Sequence, residues 1–130
     1  MGGELILVVE DHAMNTKLVR DFLSVKGYEV IESTTAEEGL QLAREQGPDL
    51  ILMDVRLPGM DGVTALRELK HDEATRNIPV IAVTASVMPS ERDQFLVAGF
   101  DGYHPKPISV KGLLEDIRTL LGETPGNDGD

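Results

Sequence analysis

The sequence predicts a doubly wound α/β domain, a five-stranded parallel sheet with five helices on its two faces. Three observations carry that expectation. Leu5 to Val9, Leu50 to Met53 and Val80 to Val83 are short apolar runs without alternation, as in strands covered on both sides. Stretches of helical periodicity lie between them. The two kinds of segment alternate strictly, and right-handed crossovers turn such alternation into a parallel sheet flanked by helices.

Each element has its own signature. After the first strand, Met14, Leu18, Phe22 and Val25 recur at helical spacing, and Gly27 suits a left-handed C-terminal cap. "YEVIES", residues 28 to 33, alternates apolar with charged residues, which places the second strand at an edge or half exposed. Ala36, Leu40 and Ala43 repeat the helical pattern, opened by a Thr35–Glu38 capping box and stopped by Gly47-Pro48. Beyond the third strand, Asp61 reads as a helix cap and Val63, Leu66 and Leu69 as the stripe of the third helix. The fourth helix is expected after Pro89, with Ser90 as its cap, ending near Gly99, and Gly102 to His104 form a short fifth strand. Ser109 then caps a helix in which Val110, Leu113, Leu114, Ile117, Leu120 and Leu121 follow the i, i+3, i+4, i+7 spacing.

The expected domain runs over residues 4 to 121, and the final "GETPGNDGD", residues 122 to 130, reads as a disordered acidic tail or the start of a linker. With 130 residues there is room for one domain and one real core. Twelve Lys plus Arg stand against 23 Asp plus Glu, a formal net charge of -11. A phosphate backbone is repelled by that balance unless basic residues cluster, and none do, so nucleic acid is not an expected partner. The absence of cysteine removes disulfides, thiolate metal sites and cysteine nucleophiles. No apolar run approaches the roughly 20 residues of a membrane helix, and Glu4 sits where a signal peptide carries positive charge. Ile6 occupies the place where N-terminal acylation of Gly2 needs Ser or Thr. A cytoplasmic protein without a membrane partner is expected.

In doubly wound sheets ligands sit beyond the carboxyl ends of the strands, where strand order reverses. Glu10-Asp11 follow the first strand, Asp54 the third, Thr84 the fourth and Lys106 the fifth. Three carboxylates at one edge repel one another, so either their pKa values rise or a hard divalent cation lies among them. Mg²⁺ is the natural candidate, being held by a few carboxylates with water and phosphate completing its shell. Taken singly, Asp54 is as well read as a turn former, Thr84 as a strand-end hydroxyl and Lys106 as a solvated charge. Their joint occurrence at adjacent strand ends carries the argument. His12 and His71 read as surface residues, and three scattered histidines make no metal signature.

Glu10-Asp11 after "LILVV", Asp54 after "LILM" with "LPGMDG" behind it, Thr84 in "VIAVTA" and Lys106 in "KPIS" resemble the receiver domain of two-component response regulators, of the single-domain type. The resemblance implies a flavodoxin-like strand order 2-1-3-4-5. It further implies that Asp54 takes a phosphoryl group from phosphohistidine, with Mg²⁺ held by Asp11, Asp54 and the backbone carbonyl of Arg56, and by Glu10 mainly through water. Lys106 and Thr84 would contact the phosphoryl oxygens, Thr84 and Tyr103 would form a switch, and Arg56 with Ser86 would set the lifetime of the acyl phosphate. The implied partners are a histidine kinase or histidine phosphotransfer protein and a downstream protein docking on helix four, strand five and helix five. On this reading the protein is a signalling phosphoacceptor that catalyses only its own phosphorylation and dephosphorylation.

Departures from the family pattern are local. Glu10 lengthens one arm of the acidic pocket but keeps its charge. His104 enters the fifth strand where an apolar residue is usual, and a buried imidazole needs a partner for its proton. Pro105 stiffens the approach to Lys106, and Lys106-Pro107 resembles the family's cis peptide. Rival readings fare worse. A haloacid-dehalogenase-like phosphatase needs a second carboxylate where Arg56 stands. A flavin binder of this fold needs a hydroxyl- and glycine-rich loop where this chain has "EDHAMN". A receiver-fold binding module that works without phosphorylation, or a receiver cut from a hybrid histidine kinase, remains the alternative.

Overall fold

A computed structural model describes residues 3–57, 59–84, 89–106 and 108–122, with side chains for all of these except 89–92. The elements are β1 (Leu5–Val9), α1 (Ala13–Val25), β2 (Glu29–Ser33), α2 (Ala36–Gln46), β3 (Leu50–Asp54), α3 (Gly62–His71), β4 (Val80–Thr84), α4 (Pro89–Ala98), β5 (Gly102–Pro105) and α5 (Val110–Leu120). All neighbouring strands pair in parallel, in the order β2-β1-β3-β4-β5. The doubly wound sheet and the 2-1-3-4-5 order are therefore as expected.

The unbroken apolar runs are explained by two cores. Leu7, Val9, Ile51, Met53, Val80 and Ala82 pack with Leu40, Ala43, Leu66 and Leu69 of α2 and α3. Ile6, Val8, Leu50, Leu52 and Ile81 pack with Val19 and Leu23 of α1 and with Leu113, Leu114 and Ile117 of α5. Successive side chains of one strand thus enter opposite cores, and no position is left for a polar residue. β2, at an edge, keeps Glu29 and Glu32 in solvent.

Local signals mostly operate as read. Asp61 accepts from Thr64 N–H at 2.8 Å and Ser109 from Gly112 N–H at 3.3 Å, which caps α3 and α5. Gly27 and Gly47 take positive φ of 96° and 58° after α1 and α2. Half of the expected capping box forms: Thr35 accepts from Glu38 N–H at 3.1 Å, whereas Glu38 reaches back to Thr34 N–H, and Thr35 N–H is taken by Ser33 Oγ. Ser90 is the second residue of α4, not its cap; Pro89 opens the helix, where its fixed φ and missing N–H cost nothing.

The stripe of α1 is a correction. Met14, Leu18 and Val25 are 80%, 57% and 82% exposed, and the buried line is Thr16, Val19 and Leu23. Both lines have helical spacing. The inward line was hidden by Thr16, whose hydroxyl is accommodated by donating to the His12 carbonyl at 3.3 Å.

Candidate functional site

The three central strands end at one rim. β1 and β3 are adjacent, while the chain leaves β1 for β2 on one side and β3 for β4 on the other, so the strand order reverses above this pair. Glu10 N–H donates to the Ser33 carbonyl at 2.9 Å and holds Glu10 in line with β1. Asp54 is itself the last residue of β3 and Thr84 the last of β4, one position further than the apolar runs indicated. Glu10, Asp54 and Thr84 are 5%, 2% and 0% exposed.

Asp54 is held at both oxygens. Oδ1 accepts from Arg56 N–H at 2.9 Å, and Oδ2 accepts from Lys106 Nζ at 2.9 Å. The same ammonium lies 2.9 Å from Glu10 Oε1. Lys106 is aimed by its own backbone, since its N–H donates to the Thr84 carbonyl at 2.8 Å. Burial draws the Lys106 pKa down, but hydrogen bonds to Asp54 and Glu10, with their charges, outweigh it and hold the ammonium above the ordinary lysine value. Part of the repulsion among the carboxylates is thus relieved by a protein cation bridging two of them.

The loop after Asp54 closes tightly. Val55 N–H donates to the Val83 carbonyl and Gly62 N–H to the Val55 carbonyl, at 2.9 and 3.0 Å. A Cβ on Gly62 would stand 2.7 Å from Val55 Cα and 2.9 Å from the Asp54 carbonyl oxygen. Only glycine allows α3 to start against that backbone.

Asp11, exposed at the mouth, completes the acidic set, and His12 joins it. Nδ1 of His12 lies 3.1 Å from Glu10 Oε2 and 3.1 Å from Asp11 Oδ1. One ligand atom each from Glu10, Asp11, His12 and Asp54 fall within 4.8 Å of one another. His12 is exposed, as expected of a surface residue, but its ring also belongs to the rim cluster, which the sequence reading missed. The available signal was its place directly after Glu10-Asp11, in a turn that must fold back over the strand end. Three carboxylates, two of them buried, are a donor set of hard oxygens that fits a divalent cation such as Mg²⁺.

The remaining expected residues are placed as follows. Arg56 is exposed, two residues beyond Asp54. Tyr103, on β5, stacks on Phe95 of α4 with centroids 5.8 Å apart and 27° between planes. His104, whose side chain is 13% exposed, has the partner it needs: Nε2 lies 2.6 Å from Asp116 Oδ2 of α5. Ser86, Pro107 and residues 123 to 130 lie outside the described residues. Among the described residues, no helix is long and apolar enough to cross a membrane.

Comparison with known proteins agrees with this geometry. The family model described as the response regulator receiver domain matches residues 6–118. The chain is 45% identical over 118 residues to the polar-differentiation response regulator DivK of Brucella ovis, covering 91% of this chain and 96% of that one. A putative response regulator of Chloroflexus aurantiacus superposes with a TM-score of 0.88 at 28% identity, covering 93% of this chain and 99% of that structure. The receiver domain of a Pseudomonas aeruginosa sensor histidine kinase, described with a magnesium ion coordinated in its active-site cleft, gives 0.85 at 34% identity, covering 94% and 100%. A sheet rim carrying Glu10, Asp11, Asp54, Thr84 and Lys106, matched along most of its length by this family, belongs to a response regulator receiver domain.

Proposed function

We propose that this receiver accepts a phosphoryl group from a phosphohistidine onto Asp54 and thereby switches a protein-binding surface. The observation that carries the reading is the fixed state of Asp54: almost fully buried, with one oxygen on Lys106 Nζ and the other on Arg56 N–H, each at 2.9 Å. A carboxylate held at both oxygens is fixed in orientation before any donor arrives. In transfer, an Asp54 oxygen forms the new O–P bond as the P–N bond to the donor imidazole breaks. The electron pair leaves with that ring, which departs neutral when its second nitrogen carries a proton.

Positioning and positive charge are the main requirements of such a transfer. Lys106 pairs with the phosphoryl oxygens, and the Thr84 hydroxyl donates to one of them. Asp11, Asp54 and the backbone carbonyl of Arg56, with Glu10 through water, would hold Mg²⁺, which when bound neutralises charge on the transferring group. Arg56, two residues beyond Asp54, sets together with Ser86 how fast water attacks the acyl phosphate.

The added charge biases two arrangements of Thr84 and Tyr103. Tyr103 stacks on α4 and neighbours His104, which is tied to α5, so a shift of β5 reaches both helices. The output surface is therefore α4, β5 and α5, and the donor is a histidine kinase or histidine phosphotransfer protein. On this reading the folded unit is residues 4 to 121, residues 122 to 130 are a tail or linker, and the protein acts in the cytoplasm on its own phosphorylation state alone.

The test is incubation with acetyl phosphate and Mg²⁺ followed by intact-mass measurement. Wild type gains one phosphoryl group and Asp54→Asn gains none. An unlabelled wild type, or a labelled Asp54→Asn protein, overturns the proposal; in the first case a binding module independent of phosphorylation takes its place.

A further inference from the structure

The phosphotransfer proposed above employs Glu10, Asp11, Asp54, Thr84 and Lys106 and leaves the His12 imidazole unused. We propose that His12 is a nitrogen donor to the rim cation, so that this receiver prefers a first-row transition ion such as Ni²⁺ or Zn²⁺ over Mg²⁺. The inference rests on the reading of the rim as a cation site and adds a ligand to it.

Distances carry the argument. Two ligands at right angles around an ion, each about 2.1 Å from it, stand roughly 3.0 Å apart. His12 Nδ1 is 3.1 Å from Asp11 Oδ1, the direct carboxylate ligand proposed above, which is the spacing of two atoms that share one ion, and 3.1 Å from Glu10 Oε2 beside it. As a hydrogen-bond donor the same nitrogen has a single proton for two equidistant carboxylates, whereas an ion serves both at once.

Lys106 and the His12 imidazole engage different oxygens of the rim. Lys106 engages Glu10 Oε1 and Asp54 Oδ2, while His12 faces Glu10 Oε2. The main chain of His12 is also fixed. Its N–H donates to Glu10 Oε2 at 3.1 Å, and its carbonyl accepts from Thr16 N–H at 3.1 Å as the first turn of α1 begins. The ring itself, 68% exposed, can receive an ion without disturbing either core.

Chemistry then sets the preference. Carboxylate and water suit Mg²⁺, while imidazole suits zinc, nickel and copper and steepens the affinity order along the first-row series. A rim of oxygens alone discriminates less.

The test titrates the whole protein by calorimetry with MgCl₂ and NiCl₂ separately, as wild type and as His12→Ala, with circular dichroism confirming that both are folded. The substitution is expected to lower Ni²⁺ affinity about tenfold or more while Mg²⁺ affinity changes by less than about threefold. An equal fall for both ions, or no change for either, overturns the inference. A second measurement needs no variant: on adding Zn²⁺ the ¹⁵N resonance of His12 Nδ1 moves while those of His71 and His104 stay. A stationary His12 resonance overturns it equally. Labelling of wild-type Asp54 by acetyl phosphate with Mg²⁺ reports on the phosphoacceptor reading alone, so failure of one is distinguishable from failure of the other.

Discussion

Lys106 Nζ stands 2.9 Å from Asp54 Oδ2, although 52 residues separate the two in the chain. The contact joins the ends of β3 and β5 across β4 and supplies the only cation among the described residues that touches two buried carboxylates at once. Lys106→Met leaves Asp54 and Glu10 without that partner. The expected result is a loss of about 2 kcal/mol in urea denaturation, the cost of removing a charged hydrogen-bond partner from a buried group, together with failure to label with acetyl phosphate.

The same contact makes a pH prediction. The folded-state pKa of Lys106 lies above its reference of 10.5, so its contribution to stability is complete below that value and disappears as pH rises through the folded pKa. Wild type therefore loses stability above about pH 10.5 faster than Lys106→Met does. Parallel stability curves for the two proteins across that alkaline range would contradict the assignment.

Asp11 contributes charge to the rim without touching Lys106. Replacing it by Asn removes repulsion against Glu10 and Asp54 and is expected to raise stability in EDTA by about 1 kcal/mol. The variant should also lack the stabilisation that millimolar Mg²⁺ is expected to give wild type. Thermal melts with and without Mg²⁺ measure both effects.

Gly62→Ala tests the loop behind Asp54. The added methyl meets main-chain atoms of Val55 and Asp54, which cannot rotate away as a side chain would. A loss of about 2 kcal/mol is expected, with slower labelling of Asp54, because the turn that aims Arg56 N–H must shift. An unchanged labelling rate would detach the loop from the chemistry.

The outward stripe of α1 begins two residues after His12, beside the rim that the proposed phosphohistidine donor must reach. Met14→Lys and Leu18→Lys are expected to change stability by less than about 0.5 kcal/mol, whereas Leu23→Ala, which opens the core, costs about 3 kcal/mol. Both lysine variants should label normally with acetyl phosphate yet accept phosphoryl groups more slowly from a histidine phosphotransfer protein. Equal rates from the protein donor would show that this face is not its docking surface.

Much of this molecule is determined by sequence alone. Five strands, five helices, most of their caps and every rim residue but His12 follow from local periodicity, turn chemistry and the rule that ligands gather beyond strand ends, since each depends on residues a few positions apart. Tertiary structure decided the rest. Which line of α1 faces inward was open because both lines have helical spacing, and only the packing of Val19 and Leu23 against the sheet selects one. The Lys106 bridge, the His104–Asp116 pair and the approach of His12 to Glu10 and Asp11 are distances between side chains, set by how strands align and how a turn folds back. Electrostatic interaction depends on separation in space, and spacing along a chain supplies that separation only within one element.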